Sequence, residues 1–82
     1  MKVLLTGSSK GIGYKIAQDL LAEGHKLALH YNKNESPLED LLKVDKTGSF
    51  SVKADLSMQE EIKKMVENTI DKLSFPDCII NN

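Results

Sequence analysis

Apolar residues follow two kinds of spacing along this chain of 82 residues. Short apolar or alternating runs at 1–6, 26–31, 49–52 and 78–80 have the length and composition of β-strands. Between them, apolar residues recur every three or four positions, as on one face of a helix. The resulting order, βαβαβαβ, predicts an α/β protein with a parallel sheet, right-handed crossovers and helices on both faces.

The three helices are predicted from their start signals and their apolar stripes. The first is expected at 12–23, followed by a glycine stop. Ser36 and Pro37 predict the second start, with serine as the N-cap and proline at the first helical position. Ser57 and Glu60 have the spacing of a capping box for the third. The residues expected to face the core from the first and third helices are Ile12, Ile16, Ala17, Leu20, Leu21, Ile62, Met65, Val66, Ile70 and Leu73.

Composition narrows the classes of function. A net charge of −1 with 28% charged residues offers no basic surface for nucleic acid. No apolar stretch is long enough for a membrane span or a signal peptide, so no membrane partner is expected. The single cysteine, Cys78, is expected to pack as a small hydrophobe in a reducing, cytoplasmic compartment. His25 and His30 lack a further ligand at metal spacing, so no metal site is predicted.

The stretch 6–13, T-G-S-S-K-G-I-G, carries the clearest chemical signal. It lies between the first strand and the first helix, where backbone N–H groups at a helix N-terminus favour a phosphate. Gly7 can adopt backbone angles that other residues cannot. Gly11 and Gly13 have no side chain and so allow close approach of a ligand or a strand. The spacing is neither G-x-G-x-x-G nor a P-loop. A nucleotide or phosphate site is predicted here.

This turn resembles the T-G-x-x-x-G-I-G motif of the short-chain dehydrogenase/reductase family. Two further stretches match in register: 54–56, A-D-L, after the third strand, and 81–82, N-N, the start of the family's N-N-A-G motif. The resemblance implies a Rossmann-type parallel sheet in the order 3-2-1-4, which would stop after the fourth strand. Residues 1–82 would then form a partial dinucleotide-binding domain.

The end of the second strand indicates which dinucleotide fits. NAD-preferring members of the family carry an acidic residue at the position of Tyr31, whereas Asn32 and Lys33 follow here. Lys10 matches a basic residue that NADP-preferring members often carry. Two cations without a carboxylate favour NADP(H) over NAD(H). The alternative is that Lys10 and Lys33 are ordinary solvated lysines.

The resemblance also implies roles for residues nearer the adenine and the sheet. Asp55 would accept a hydrogen bond from the adenine amino group, Leu56 would pack on its ring, and Asn81 would lie close to the cofactor. The residues expected to bind the cofactor are Gly7, Ser9, Lys10, Gly11, Ile12, Gly13, Tyr31, Asn32, Lys33, Asp55, Leu56 and Asn81.

The family's catalytic Ser and Tyr-x-x-x-Lys pair are not found in these 82 residues, because Gln18 follows Tyr14 by four and Glu35 follows Tyr31 by four. The sequence therefore predicts the NADP(H)-binding N-terminal portion of a reductase that transfers hydride between NADP(H) and a carbonyl or alcohol. It is most similar to the 3-oxoacyl-carrier-protein reductase branch, and no activity is expected from it alone. The alternative is a non-catalytic nucleotide- or phosphate-binding module that acts through self-association.

The fourth strand is expected to lie at a sheet edge. Its apolar run at 78–80 would present unpaired backbone groups, with only Asp77 and two asparagines around it. We therefore expect a two-fold homo-oligomer that covers this edge. Ile79 is expected to face a core layer.

Overall fold

Four strands and three helices form the structure, a computed structural model that describes all 82 residues. The elements are β1 (Lys2–Leu5), α1 (Gly11–Ala22), β2 (Lys26–Tyr31), α2 (Ser36–Lys43), β3 (Phe50–Lys53), α3 (Gln59–Leu73) and β4 (Cys78–Ile80). The strands lie in the order β3-β2-β1-β4, and every neighbouring pair is parallel. The predicted order of elements and the 3-2-1-4 parallel sheet are confirmed.

Both faces of β1 are buried, which explains why its sequence is an almost unbroken apolar run. Val3 and Leu5 pack in one cluster with residues of α1 and α2, and Leu4 packs in a second cluster with residues of α3. The first cluster contains Val3, Leu5, Ala17, Leu27, Leu29 and Leu38. The second contains Leu4, Ala28, Val52, Ala54, Met65 and Leu73. The helices therefore cover both faces, as the alternating order of elements predicts.

The apolar stripe of α1 differs from the prediction at its first turn. The fully buried positions of α1 are Gly13 and Ala17, which are one turn apart. Ile12 precedes Gly13 by one residue and so points about 100° away from this line. Its side chain is 74% exposed, so the expectation that Ile12 faces the core is wrong.

Neither predicted serine N-cap is found. Ser36 is the first helical residue of α2, and Glu35 occupies the N-cap position without a capping side-chain bond. Ser57 instead donates to the carboxylate of Asp55, from its backbone nitrogen at 2.9 Å and its hydroxyl at 2.7 Å. Helix α3 begins two residues later, after Met58, so the capping box is wrong. Asp55 accepts both hydrogen bonds from Ser57, as an aspartate does in an Asx turn, so the Ser57 hydroxyl does not cap α3.

The buried line of α3 runs through Met65, Thr69 and Leu73, which follow each other at intervals of four. Val66 lies beside this line and is 41% exposed, so its expected burial is wrong. Thr69 was not expected in the core. Its hydroxyl is buried and has no hydrogen-bond partner.

Strand β4 pairs with β1 on one side only and forms an edge of the sheet. Ile79 stands opposite Leu4, on the α3 face of the sheet. It is nevertheless 63% exposed, because no helix in these residues covers that part of the face. The expectation that Ile79 contributes to a core layer is therefore wrong for this chain.

None of the three helices combines the length and the apolar composition that a membrane span requires.

Candidate functional site

A cavity of about 350 Å³ lies at the carboxyl edge of the sheet, beside the loops that follow β1 and β2. In open parallel sheets, ligands bind at this edge. The cavity is lined by Gly7, Ser9, Lys10, His30, Asn32, Lys33 and Asn34. Five of these seven residues belong to the set predicted to bind a cofactor. The structure therefore brings the glycine turn and the end of β2 to one place.

Backbone conformation explains one glycine of the turn, and close packing explains another. Gly7 has a φ of +61°, a left-handed conformation that other residues adopt only with strain. A Cβ atom on Gly13 would overlap the carbonyl oxygen of Gly7. Gly13 therefore lets α1 begin directly against the turn. The group that comes close to Gly13 is the backbone of Gly7 and not a ligand.

The N-terminus of α1 is open to a ligand. Its N-cap residue, Lys10, makes no capping bond with its side chain, and the first turn contains no acidic residue. The first N–H groups of a helix have no acceptor within the helix. A Cβ atom added to Gly11 would meet no atom within 4 Å, so there is room above this residue. These donors, this space and the positive helix end suit a phosphate group.

The residues at the end of β2 do not all face the cavity. Asn32 and Lys33 line the cavity, whereas Tyr31 does not. Tyr31 packs against the cluster under α1 and α2. Burial, and next the negative charge of Glu35, raise the pKa of its phenol. The structure therefore does not bring the Tyr31 side chain to the predicted site.

Asp55 and Leu56 follow β3 beside the cavity rather than in its lining. Hydrogen bonds from Ser57, and then the positive charge of Lys33, hold the pKa of Asp55 below its ordinary value. The backbone nitrogen of Asp55 donates to Glu61 at 2.9 Å, which anchors the loop to α3. Leu56 is 41% exposed. An ionised carboxylate and an exposed apolar side chain thus stand next to each other.

The asparagines after β4 close the turn from the other side. Asn82 donates from its side-chain amide to the carbonyl oxygen of Gly7 at 3.0 Å, and from its backbone to the Thr6 hydroxyl at 3.0 Å. Asn81 contacts the same hydroxyl through Oδ1 at 3.2 Å. The family resemblance indicated Asn81, the first asparagine of the motif, and not Asn82, which makes the direct hydrogen bond to Gly7.

His30 is a second residue that sequence reasoning missed. It is 3% exposed, and its ring contacts both Gly7 and Ala54. The available signal was its type: His30 is a polar residue inside the apolar run of β2. Such a residue in a buried strand needs hydrogen-bond partners, and those partners lie in the site.

A larger groove of about 660 Å³ lies at the opposite end of the molecule, between the C-terminal parts of α1 and α2. Four of its nine lining residues are hydrophobic. It lies away from the glycine turn, and none of the predicted site residues lines it. Size alone therefore does not indicate the site here.

Comparison with known proteins identifies the family. The whole chain, residues 1–82, matches the family model described as short chain dehydrogenase. The 3-oxoacyl-[acyl-carrier-protein] reductase of Staphylococcus epidermidis is 32% identical over 83 residues, which cover 96% of this chain and 34% of that protein. A hydroxynaphthalene reductase-like protein of Metarhizium anisopliae is 30% identical over 82 residues, covering 96% of this chain and 31% of that protein.

Solved structures agree with the sequence matches. An actinorhodin polyketide ketoreductase with NADPH aligns with a TM-score of 0.87 at 25% identity, covering 99% of this chain and 32% of that one. An oxidoreductase of Aeromonas hydrophila has the same fold, with a TM-score of 0.87 at 16% identity over 98% of this chain and 38% of that one. The chain spans about a third of the length of these relatives. From its glycine turn to its last strand, the chain belongs to the short-chain dehydrogenase family.

Proposed function

We propose that residues 1–82 are the NADP(H)-binding N-terminal portion of a reductase that exchanges hydride between NADP(H) and a carbonyl or alcohol. One observation carries the choice of cofactor: the cavity at the start of α1 is lined by two lysines and by no carboxylate. Two positive charges at such a site favour a ligand with an additional, negatively charged phosphate. The NADPH in the actinorhodin ketoreductase structure supports the same choice.

Each part of the cofactor has a partner in this proposal. The N–H groups at the start of α1 hold the pyrophosphate, and Lys10, Asn32 and Lys33 surround the 2′-phosphate. Asp55 accepts a hydrogen bond from the adenine amino group, and Leu56 packs on the ring. The nicotinamide supplies or accepts the hydride, while these residues bind and orient the adenine end of the cofactor.

We also propose that these 82 residues bind the cofactor without reducing a carbonyl on their own, since they contain no Tyr-x-x-x-Lys pair. The non-catalytic module is not favoured, because the match to an oxidoreductase family extends over the whole chain. The single cysteine, Cys78, supports a cytoplasmic location.

Removing both lysines should abolish the preference for NADP(H). We expect the chain to bind NADPH and 2′-phospho-AMP more tightly than NADH in titration calorimetry. Lys10→Ala combined with Lys33→Ala should weaken NADPH binding by roughly tenfold per lysine, because each loses a charge-assisted contact with the 2′-phosphate. NADH, which lacks that phosphate, should bind with little change.

Lys64→Ala is the matched control. Lys64 is an exposed lysine of α3 that does not line the cavity, so its removal changes the net charge at another place. We expect NADPH affinity to stay within about twofold of the unaltered chain. Tighter binding of NADH than of NADPH, or an undiminished preference in the double variant, would contradict the proposal.

We further propose that the chain forms a two-fold dimer through the β4 edge. This edge carries unpaired backbone groups, and Ile79 and Phe75 nearby are 63% and 74% exposed. Ile79→Lys should reduce the dimer to a monomer in sedimentation velocity. At a concentration low enough for the unaltered chain to be monomeric, Ile79→Lys should unfold at nearly the same urea concentration as the unaltered chain, because Ile79 is largely outside the core.

Val44→Lys provides the control for this experiment. Val44 is 78% exposed at the end of α2, on another part of the surface, so the same substitution there should leave the dimer intact. A compact monomer of the unaltered chain at high micromolar concentration would overturn the dimer.

A further inference from the structure

The buried ring of His30 joins the glycine turn to the end of β3. Its Nδ1 accepts a hydrogen bond from the backbone N–H of Gly7 at 3.0 Å. Its Nε2 lies 2.8 Å from the carbonyl oxygen of Ala54, the residue before Asp55. His30 also lines the cavity described above and is 3% exposed. One side chain thus links the loops expected to hold the two ends of an adenine nucleotide.

These contacts determine which nitrogen of the ring carries the proton. A backbone N–H can only donate, so Nδ1 must accept from Gly7. A carbonyl oxygen can only accept, so Nε2 must donate to Ala54. The neutral imidazole with its proton on Nε2 satisfies both partners at once. The Ala54 carbonyl therefore selects the tautomer in which Nδ1 is an acceptor.

The backbone of His30 holds the same turn. Its carbonyl oxygen accepts from the backbone nitrogen of Ser8 at 2.9 Å and from the Ser8 hydroxyl at 2.8 Å. With the ring contact, three hydrogen bonds tie two consecutive turn residues to one residue of β2. Gly7 has a φ of +61° and no side chain to hold it in place. The direction of its backbone N–H therefore depends on hydrogen bonds such as the one to His30.

We propose that His30 is a positioning residue for the phosphate-binding turn: with its proton held on Nε2 by Ala54, its Nδ1 fixes Gly7 and thereby the N-terminus of α1. The proposal rests on the nucleotide site described above. Gly7 is in turn the residue against which Gly13 packs, so a displaced Gly7 moves the start of the helix. His30 acts through the turn and needs no contact with the nucleotide.

Two substitutions of His30 each keep one of the two hydrogen bonds that its ring makes and remove the other. The side-chain oxygen of asparagine stands close to the position of histidine Nδ1, so His30→Asn keeps an acceptor for Gly7 and loses the bond to Ala54. The side-chain nitrogen of glutamine reaches the position of Nε2, so His30→Gln keeps the donor to Ala54 and loses the acceptor for Gly7. Each variant loses one buried hydrogen bond, so their unfolding midpoints in urea should be similar.

The test combines three measurements on the 82-residue chain. Proton–nitrogen correlation spectra should show the His30 ring protonated on Nε2. The Gly7 amide should exchange with deuterium roughly tenfold faster in His30→Gln than in His30→Asn. In calorimetry, 2′-phospho-AMP should bind about tenfold more weakly to His30→Gln, and within about threefold of the unaltered chain to His30→Asn.

Several results would overturn the positioning role. One is a ring protonated on Nδ1. Another is equal exchange of the Gly7 amide in the two variants, and a third is an equal loss of affinity, which would indicate a merely structural histidine. If the unaltered chain does not bind 2′-phospho-AMP, the proposed function fails. The ring tautomer and the Gly7 exchange, both measured without nucleotide, then decide the role of His30 in shaping the turn.

Discussion

Replacing Gly13 by alanine is expected to lower the free energy of unfolding by about 2–3 kcal/mol and to abolish NADPH binding. The added Cβ would overlap the carbonyl oxygen of Gly7, a backbone atom that cannot rotate away as a side chain can. Either α1 or the turn must move, and both form the proposed phosphate site. Urea unfolding followed by circular dichroism measures the first effect, and titration calorimetry measures the second.

The sign of this effect is informative. Alanine favours a helix over glycine by about 1 kcal/mol, so without the overlap Gly13→Ala would stabilise the protein. Gly24→Ala is the matched control: Gly24 has a φ of +88° but no atom within 4 Å of an added Cβ. Gly24→Ala should lower the free energy of unfolding by about 1 kcal/mol, because alanine is strained at this φ, and the variant should retain NADPH affinity. Unchanged or increased stability of Gly13→Ala would contradict the packing described here.

Leu5→Ala should cost about 3 kcal/mol of unfolding free energy. Leu5 is 0% exposed on β1, between the neighbouring strands, and it packs in the cluster with Leu29 and Leu38. The substitution leaves a cavity that these neighbours can fill only in part. For a domain with roughly 4–12 kcal/mol of total stability, this loss is a quarter or more of the total, so the midpoint of urea unfolding should fall clearly.

Leu56→Ala removes the same atoms from a side chain that is 41% exposed. It should cost less than about 1 kcal/mol, because little apolar surface leaves the core. Urea unfolding curves of the two variants, measured under the same conditions, provide the comparison. Similar losses for Leu5→Ala and Leu56→Ala would mean that β1 is not the centre of the core.

The elements themselves were predictable because each depends on a local pattern. The apolar run of β1 has the length and composition of a strand buried on both faces, and the spacing from Met65 to Leu73 has the period of a helix. The strand order followed from the family resemblance and is confirmed. Caps were less predictable, because Ser57 had a competing partner, Asp55, two residues before it. Sequence alone does not rank two local hydrogen bonds of similar strength.

The candidate site was predicted in part. Lys10 and Lys33 come from distant points of the chain and meet in one cavity, as the parallel topology requires. Tyr31 was placed in the site by its position in the chain, but alternation along β2 directs its side chain towards α2 instead. His30, one residue earlier, points to the other face and enters the site. A shift of one residue in a strand reverses the face.

Local patterns in the chain were thus enough for the seven elements and the position of the glycine turn, because periodicity and backbone conformation depend on near neighbours. Contacts between distant residues were not accessible in this way. Asn82 reaches Gly7 across 75 positions, and His30 reaches Ala54 across 24. Folding brings such pairs together only when the strands pair in register. Which polar groups complete the turn is therefore a property of the assembled sheet.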